Sequence, residues 1–108
     1  MSIVVNLYYT SKPGAARAFA REMTDMGTVA AIRAEDGNER YEYFVPLDDP
    51  DTVLLIDQWR DQAAIDAHHA SPMMARIMEL REKYDLHVRA VRLVTQELPK
   101  SDATFLRQ

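Results

Sequence analysis

Cysteine is absent from the 108 residues, which excludes disulfide scaffolds, thiolate zinc sites, iron–sulfur clusters and thiol nucleophiles in one stroke. Basic charge is also scarce. Thirteen Lys and Arg stand against seventeen Asp and Glu, a formal charge of -4, so there is no positive field to hold a phosphate backbone, and nucleic acid is not an expected partner. No apolar run approaches the roughly 20 residues of a membrane span. The first residues carry no basic stretch and place Asn6 inside a short apolar run, which argues against a secretory signal. The expectation is a soluble cytoplasmic protein that does not engage a membrane. No repeat, low-complexity tract or linker divides the chain, and its length suits one core.

Only three glycines are present, so each one punctuates. Ile3 to Thr10 is rich in β-branched and aromatic residues and predicts a strand. Ser11-Lys12-Pro13 suits a helix entry, Phe19, Met23 and Met26 fall on one helical stripe, and Gly27 provides a stop. Thr28 to Ala34 and Arg40 to Pro46 read as two strands around Asp36-Gly37-Asn38, a turn in which glycine supplies positive φ. Thr52 to Trp59 contains Val53-Leu54-Leu55-Ile56 and has no solvent face, so it should be covered on both sides. Asp61 can cap a short helix carrying His68 and His69, and Ser71-Pro72 restarts a second, with Met73, Ile77, Leu80 and Tyr84 at helical spacing. Leu86 to Gln96 closes the pattern as a strand.

Helices that interrupt an antiparallel sheet collect on one face, which gives an α+β domain of two layers. On the other face Val4, Tyr41, Tyr43, Val45 and the Thr52–Trp59 strand, apolar on both its faces, would expose apolar side chains. A patch of that size is best covered by a second copy in a twofold homodimer.

The stretch with most chemistry runs from Val53 to Met73. It places Asp57-Gln58-Trp59 at the end of an apolar strand, Asp61 at a helix start, and His68-His69-Ala70-Ser71-Pro72 beyond it. The two histidines differ by roughly 100° around a helix, so only one can face the sheet, and a zinc site built on both is excluded. Asp48, Asp49 and Asp51 fail the calcium-loop spacing and read as a solvated turn.

An apolar strand ending in acidic-x-Trp, an acidic helix start and then His-x-x-Ser-Pro resembles the antibiotic biosynthesis monooxygenase (ABM) domain family. The resemblance implies a ferredoxin-like antiparallel sheet with helices on one face, paired as a dimeric α/β barrel, over residues 1–98, with 99–108 as a tail. It implies a pocket between sheet and helices and no metal or cofactor. The implied activity is oxidation of a small aromatic or quinol substrate by dioxygen. In that reading His68 is the catalytic base, since an imidazole titrates near neutral pH. Asn6, Trp59 and Arg33 are candidate donors to a phenolate or quinone oxygen, and Tyr41 and Tyr43 candidate walls for a flat substrate. The haem-degrading branch of the family pairs an Asn with a helical Trp and a downstream His. Here Asn6 matches, but His68 and Met78 occupy the other two places, and the iron ligand is gone. Two other readings fit the same scaffold: a non-catalytic module that holds a small aromatic or quinone, and an isomerase.

Overall fold

The computed structural model describes residues 1–107. Four strands, β1 (Ile3–Thr10), β2 (Asn38–Phe44), β3 (Thr52–Trp59) and β4 (His87–Val94), form one sheet in the order β2-β3-β1-β4, with every neighbouring pair antiparallel. Four helices, α1 (Ala15–Asp25), α2 (Thr28–Arg33), α3 (Gln62–His69) and α4 (Met73–Lys83), make the second layer. Placing β3 between β1 and β2 gives a split βαβ arrangement repeated twice, the ferredoxin-like α+β fold. A short 3₁₀ helix, Lys100–Phe105, lies exposed near the end of the chain.

One expected strand is a helix. Thr28 to Ala34 was a strand candidate for its β-branched residues, yet Thr28–Arg33 coils into α2. Gly27, at φ 84°, ends one helix and begins the next. Thr28, Val29 and Ile32 then share one buried helical face, and Ala30 and Ala31 favour the coil. Asp36-Gly37-Asn38 therefore joins α2 to β2 instead of turning a hairpin. Gly37 has φ 84°, and a Cβ built there would lie 2.5 Å from the Ala64 Cβ on α3, so only glycine fits this approach.

The helix side of the sheet is fixed by the alternation of β3. Val53, Leu55, Asp57 and Trp59 are buried beneath the helices, while Leu54, Ile56 and Gln58 point the other way and stay half-exposed. Register places Leu7 and Tyr9 on the helix side, and Val4, Asn6 and Tyr8 on the open side. Tyr41 and Tyr43 were expected on the open face; both face the helices instead. A bulge between Asn38 and Arg40 adds one residue to β2 and reverses its parity, so Tyr41 pairs with Asp57 and Tyr43 with Leu55. The core gathers Tyr9, Phe19, Met23, Ile32, Leu55 and Trp59 among others. Phe19 stands at its centre, with ring centroids 5.1 Å from Tyr9 and 6.4 Å from Tyr43.

Beyond the helices' reach lies β4. Its helix-side residues Val88 and Val94 remain 40% and 57% exposed. The open face presents Val4, Tyr8, Phe44, Leu54, Ile56 and Leu93. At its middle Asn6 lies between Ile56 and Val91, and its Oδ1 is buried without a hydrogen-bond partner.

Candidate active site

His68 owes its position to the cap of α3. The Asp61 carboxylate accepts the Ala64 N–H at 2.9 Å and fixes the first turn. Two turns on, His68 is buried at 5% exposure while His69 is exposed. The His68 ring lies on Trp59, centroids 4.8 Å apart and planes at 32°. Its Nδ1 is 2.7 Å from Glu35 Oε1, and both side chains are shielded from solvent. A carboxylate can only accept, so Nδ1 carries the proton, and in the neutral imidazole Nε2 then holds the lone pair.

The segment bearing Glu35 is pinned to the same end of β3. Arg60 N–H donates to the Gly37 carbonyl at 2.8 Å, and its guanidinium makes two 3.2 Å bonds to Asp36. An imidazole oriented by a carboxylate, with its second nitrogen free, is a general-base arrangement.

A second ionisable group shares this interior. Asp57 is 7% exposed and its Oδ1 has no hydrogen-bond partner. Desolvation pushes its carboxyl up to about 7, the nearby Trp59 indole opposes the rise, and Glu35 adds to it. Tyr9, Tyr41 and Tyr43 stand around it, each with a raised hydroxyl pKa because burial disfavours the phenolate. Arg81 on α4 donates to the Tyr9 hydroxyl at 3.1 Å and lies over that ring, 5.4 Å from its centroid. The Tyr43 hydroxyl and Arg81 Nε are also buried without partners.

Of the residues singled out in the sequence, His68, Trp59, Tyr41 and Tyr43 meet on the helix side. Asn6 does not, since it lies on the opposite face of the sheet. Arg33 does not either. Its Nε and Nη2 donate to the Tyr41 backbone carbonyl at 2.9 and 2.7 Å, at the edge of β2. Three polar side chains that the structure adds to this interior, Asp57, Glu35 and Arg81, were not singled out in the sequence as candidates. Asp57 had a signal, a carboxylate in an otherwise apolar strand. Glu35 and Arg81 had none, because their partners His68 and Tyr9 are 33 and 72 residues away.

None of five surface clefts, of about 310 to 630 Å³, is lined by His68 or Trp59. One of about 520 Å³ opens between α4 and β4 beside Met78, Leu86 and Val88, with Arg81 in its wall. It adjoins the flank that the helices leave uncovered. Among the described residues no three His, Asp or Glu side chains group as a metal site, and no helix is long and apolar enough to cross a membrane.

The model of the antibiotic biosynthesis monooxygenase family matches residues 1–80, about three-quarters of the sequence. The chain belongs to that family. The ABM match spans β1 through most of α4 and so includes His68, Glu35 and Asp57. A Bacillus subtilis (strain 168) protein named "Putative monooxygenase YcnE" is 31% identical over 67 residues, 62% of this ABM chain and 68% of its own length. PA3566 from Pseudomonas aeruginosa superposes with a TM-score of 0.74 at 28% identity, covering 89% of this chain and 95% of its own. SnoaB, a cofactor-independent oxygenase from Streptomyces nogalater, shares the fold at a TM-score of 0.71 and 12% identity, over 92% of this chain and 97% of its own.

Proposed function

We propose that this ABM protein is a cofactor-independent monooxygenase that oxidises a quinol or polycyclic phenol with dioxygen, using His68 as the base. The buried His68–Glu35 pair carries the reading: Nδ1 is held by a carboxylate at 2.7 Å, and Nε2 is left to take a proton in a desolvated interior. The family match and the cofactor-independent oxygenase among the structural neighbours support it.

The chemistry balances without an external reductant. Nε2 removes a proton from an enolic or phenolic O–H, and Glu35 stabilises the imidazolium. The substrate anion passes one electron to dioxygen. The resulting radical and superoxide join at a ring carbon, and His68 returns the proton to give a hydroperoxide. Cleavage of its O–O bond, with loss of the proton on the same carbon, leaves a carbonyl and water. One substrate and one dioxygen give one oxidised product and one water.

Trp59, Tyr41 and Tyr43 supply flat walls on the helix side, and the uncovered flank of β4 is the entrance. A homodimer formed through the open face completes the assembly. It buries the apolar strip from Phe44 to Leu93 and gives Asn6 a symmetry-related partner for its unpaired oxygen. The site of action is the cytoplasm.

Oxygen uptake with anthrone or 1,4-dihydroxynaphthalene, corrected for autoxidation, tests the activity. One dioxygen consumed per carbonyl formed, without hydrogen peroxide, is expected. Binding without turnover would instead indicate a sequestering module, and conversion under nitrogen an isomerase. Sedimentation at micromolar concentration should report a dimer, which Ile56→Lys on the open face converts to monomer; a monomeric parent protein would contradict the dimer.

A further inference from the structure

Among the described residues, four buried polar atoms on the helix side lack partners: Tyr43 Oη, Asp57 Oδ1, Ser71 Oγ and Arg81 Nε. Each orphaned group forfeits its hydration without compensation, and native interiors keep few of them. Asp57 is the most costly to retain. It sits in the central sheet, not on a loop, between Val5 on β1 and Tyr41 on β2, where an aliphatic residue would pack against its apolar neighbours. Trp59, two residues on and on the same face, joins it to the base, because the Trp59 ring also covers His68 at 4.8 Å.

We infer that Asp57 is a second proton-transfer residue of the site, donating to the distal oxygen of the substrate hydroperoxide as its O–O bond breaks. The inference rests on the oxygenase reading. The leaving oxygen departs as water with the Asp57 proton. The electron pair of the adjacent C–H bond becomes the new carbonyl bond, and the released C–H proton returns to Asp57. His68 serves proton removal and formation of the hydroperoxide, and Asp57 its collapse.

The surroundings suit a carboxyl that must be neutral to act. The groups that act on it are Glu35 from the segment after α2, Tyr9 on β1, Tyr41 and Tyr43 on β2, Trp59 on β3 and Arg81 on α4. Desolvation outweighs the cation and holds the group protonated up to about pH 7.

The test is single-turnover oxidation of anthrone by the intact protein and by Asp57→Asn, following oxygen uptake and carbonyl formation separately. In the parent protein the two should coincide, with carbonyl formation slowing as pH rises through about 7. In Asp57→Asn, carbonyl formation should lag uptake by about tenfold or more, peroxide should accumulate, and the limb near pH 7 should vanish. Coincident uptake and carbonyl formation in the variant, with that limb intact, would overturn the assignment and leave the oxygenase reading standing. Absence of enzyme-dependent uptake in the parent protein would overturn both. Should Asp57→Asn fail to fold, ¹³C spectra of the labelled Asp57 carboxyl decide. Anthraquinone binding should move its resonance and titration, and an unmoved carboxyl would contradict the role.

Discussion

Replacing His68 by Gln should lower the rate of oxygen-dependent turnover by about 10²–10⁴-fold, the usual contribution of a positioned general base, while the protein stays folded. Gln fills much of the ring's volume against Trp59 but has no nitrogen lone pair to take a proton. Glu35→Gln should cost less. The amide oxygen still accepts the Nδ1 proton, so the tautomer persists, but the charge that stabilises the imidazolium is lost. Two measurements separate this from a merely structural role. The ¹⁵N shifts of His68 should show Nδ1 protonated in both the parent protein and Glu35→Gln, and kcat should fall in Glu35→Gln with little change in KM. An unaltered kcat in His68→Gln would remove the base from the mechanism.

The second large effect concerns stability. The Asp57 carboxyl is raised from 3.8 to about 7 in the folded chain, chiefly by desolvation. Between those values the folded state therefore binds a proton that the unfolded state has released, and stability falls as pH rises. Below about pH 4 both states are protonated and the group exacts no charge penalty. Above about pH 7 the full cost is present, ~4 kcal/mol as an upper bound. Asp57→Asn should therefore match the parent protein near pH 4, exceed its stability at pH 8, and lack the intervening slope. Urea midpoints from pH 4 to 8.5, at one protein concentration, check this. Parallel curves for the two proteins would show that the carboxyl is not desolvated. The lowered carboxyls Glu22, Asp36 and Glu39 lie at the surface, and their opposite slope falls below about pH 4.5.

Much of this architecture was legible in the sequence, because the decisive patterns are local. The β3 run, the Asp61 cap and the Ser71-Pro72 restart each define an element through its own residues. Two errors arose where a pattern admits two periods. Thr28, Val29 and Ile32 satisfy a strand by composition and a helix by spacing, and Gly27 reads equally as stop or start. The β2 bulge has no clear sequence mark, yet that one residue decides that Tyr41 and Tyr43 join the interior. The site was half legible. His68 and Trp59 follow from the strand and helix that carry them. Glu35 becomes their neighbour only because the bidentate Arg60–Asp36 pair and the Gly37–Ala64 approach fold that segment onto α3, contacts with no short-range signature. Asn6 shows the converse: its sequence position matched a family pattern, while strand alternation turned it to the other side of the sheet.

Oxidation of anthrone under ¹⁸O₂ addresses the proposed chemistry most directly. One labelled oxygen should appear in the anthraquinone carbonyl and the other in water, at a rate that collapses when His68 becomes Gln. Unlabelled product, or labelling that proceeds undiminished in His68→Gln, would contradict it.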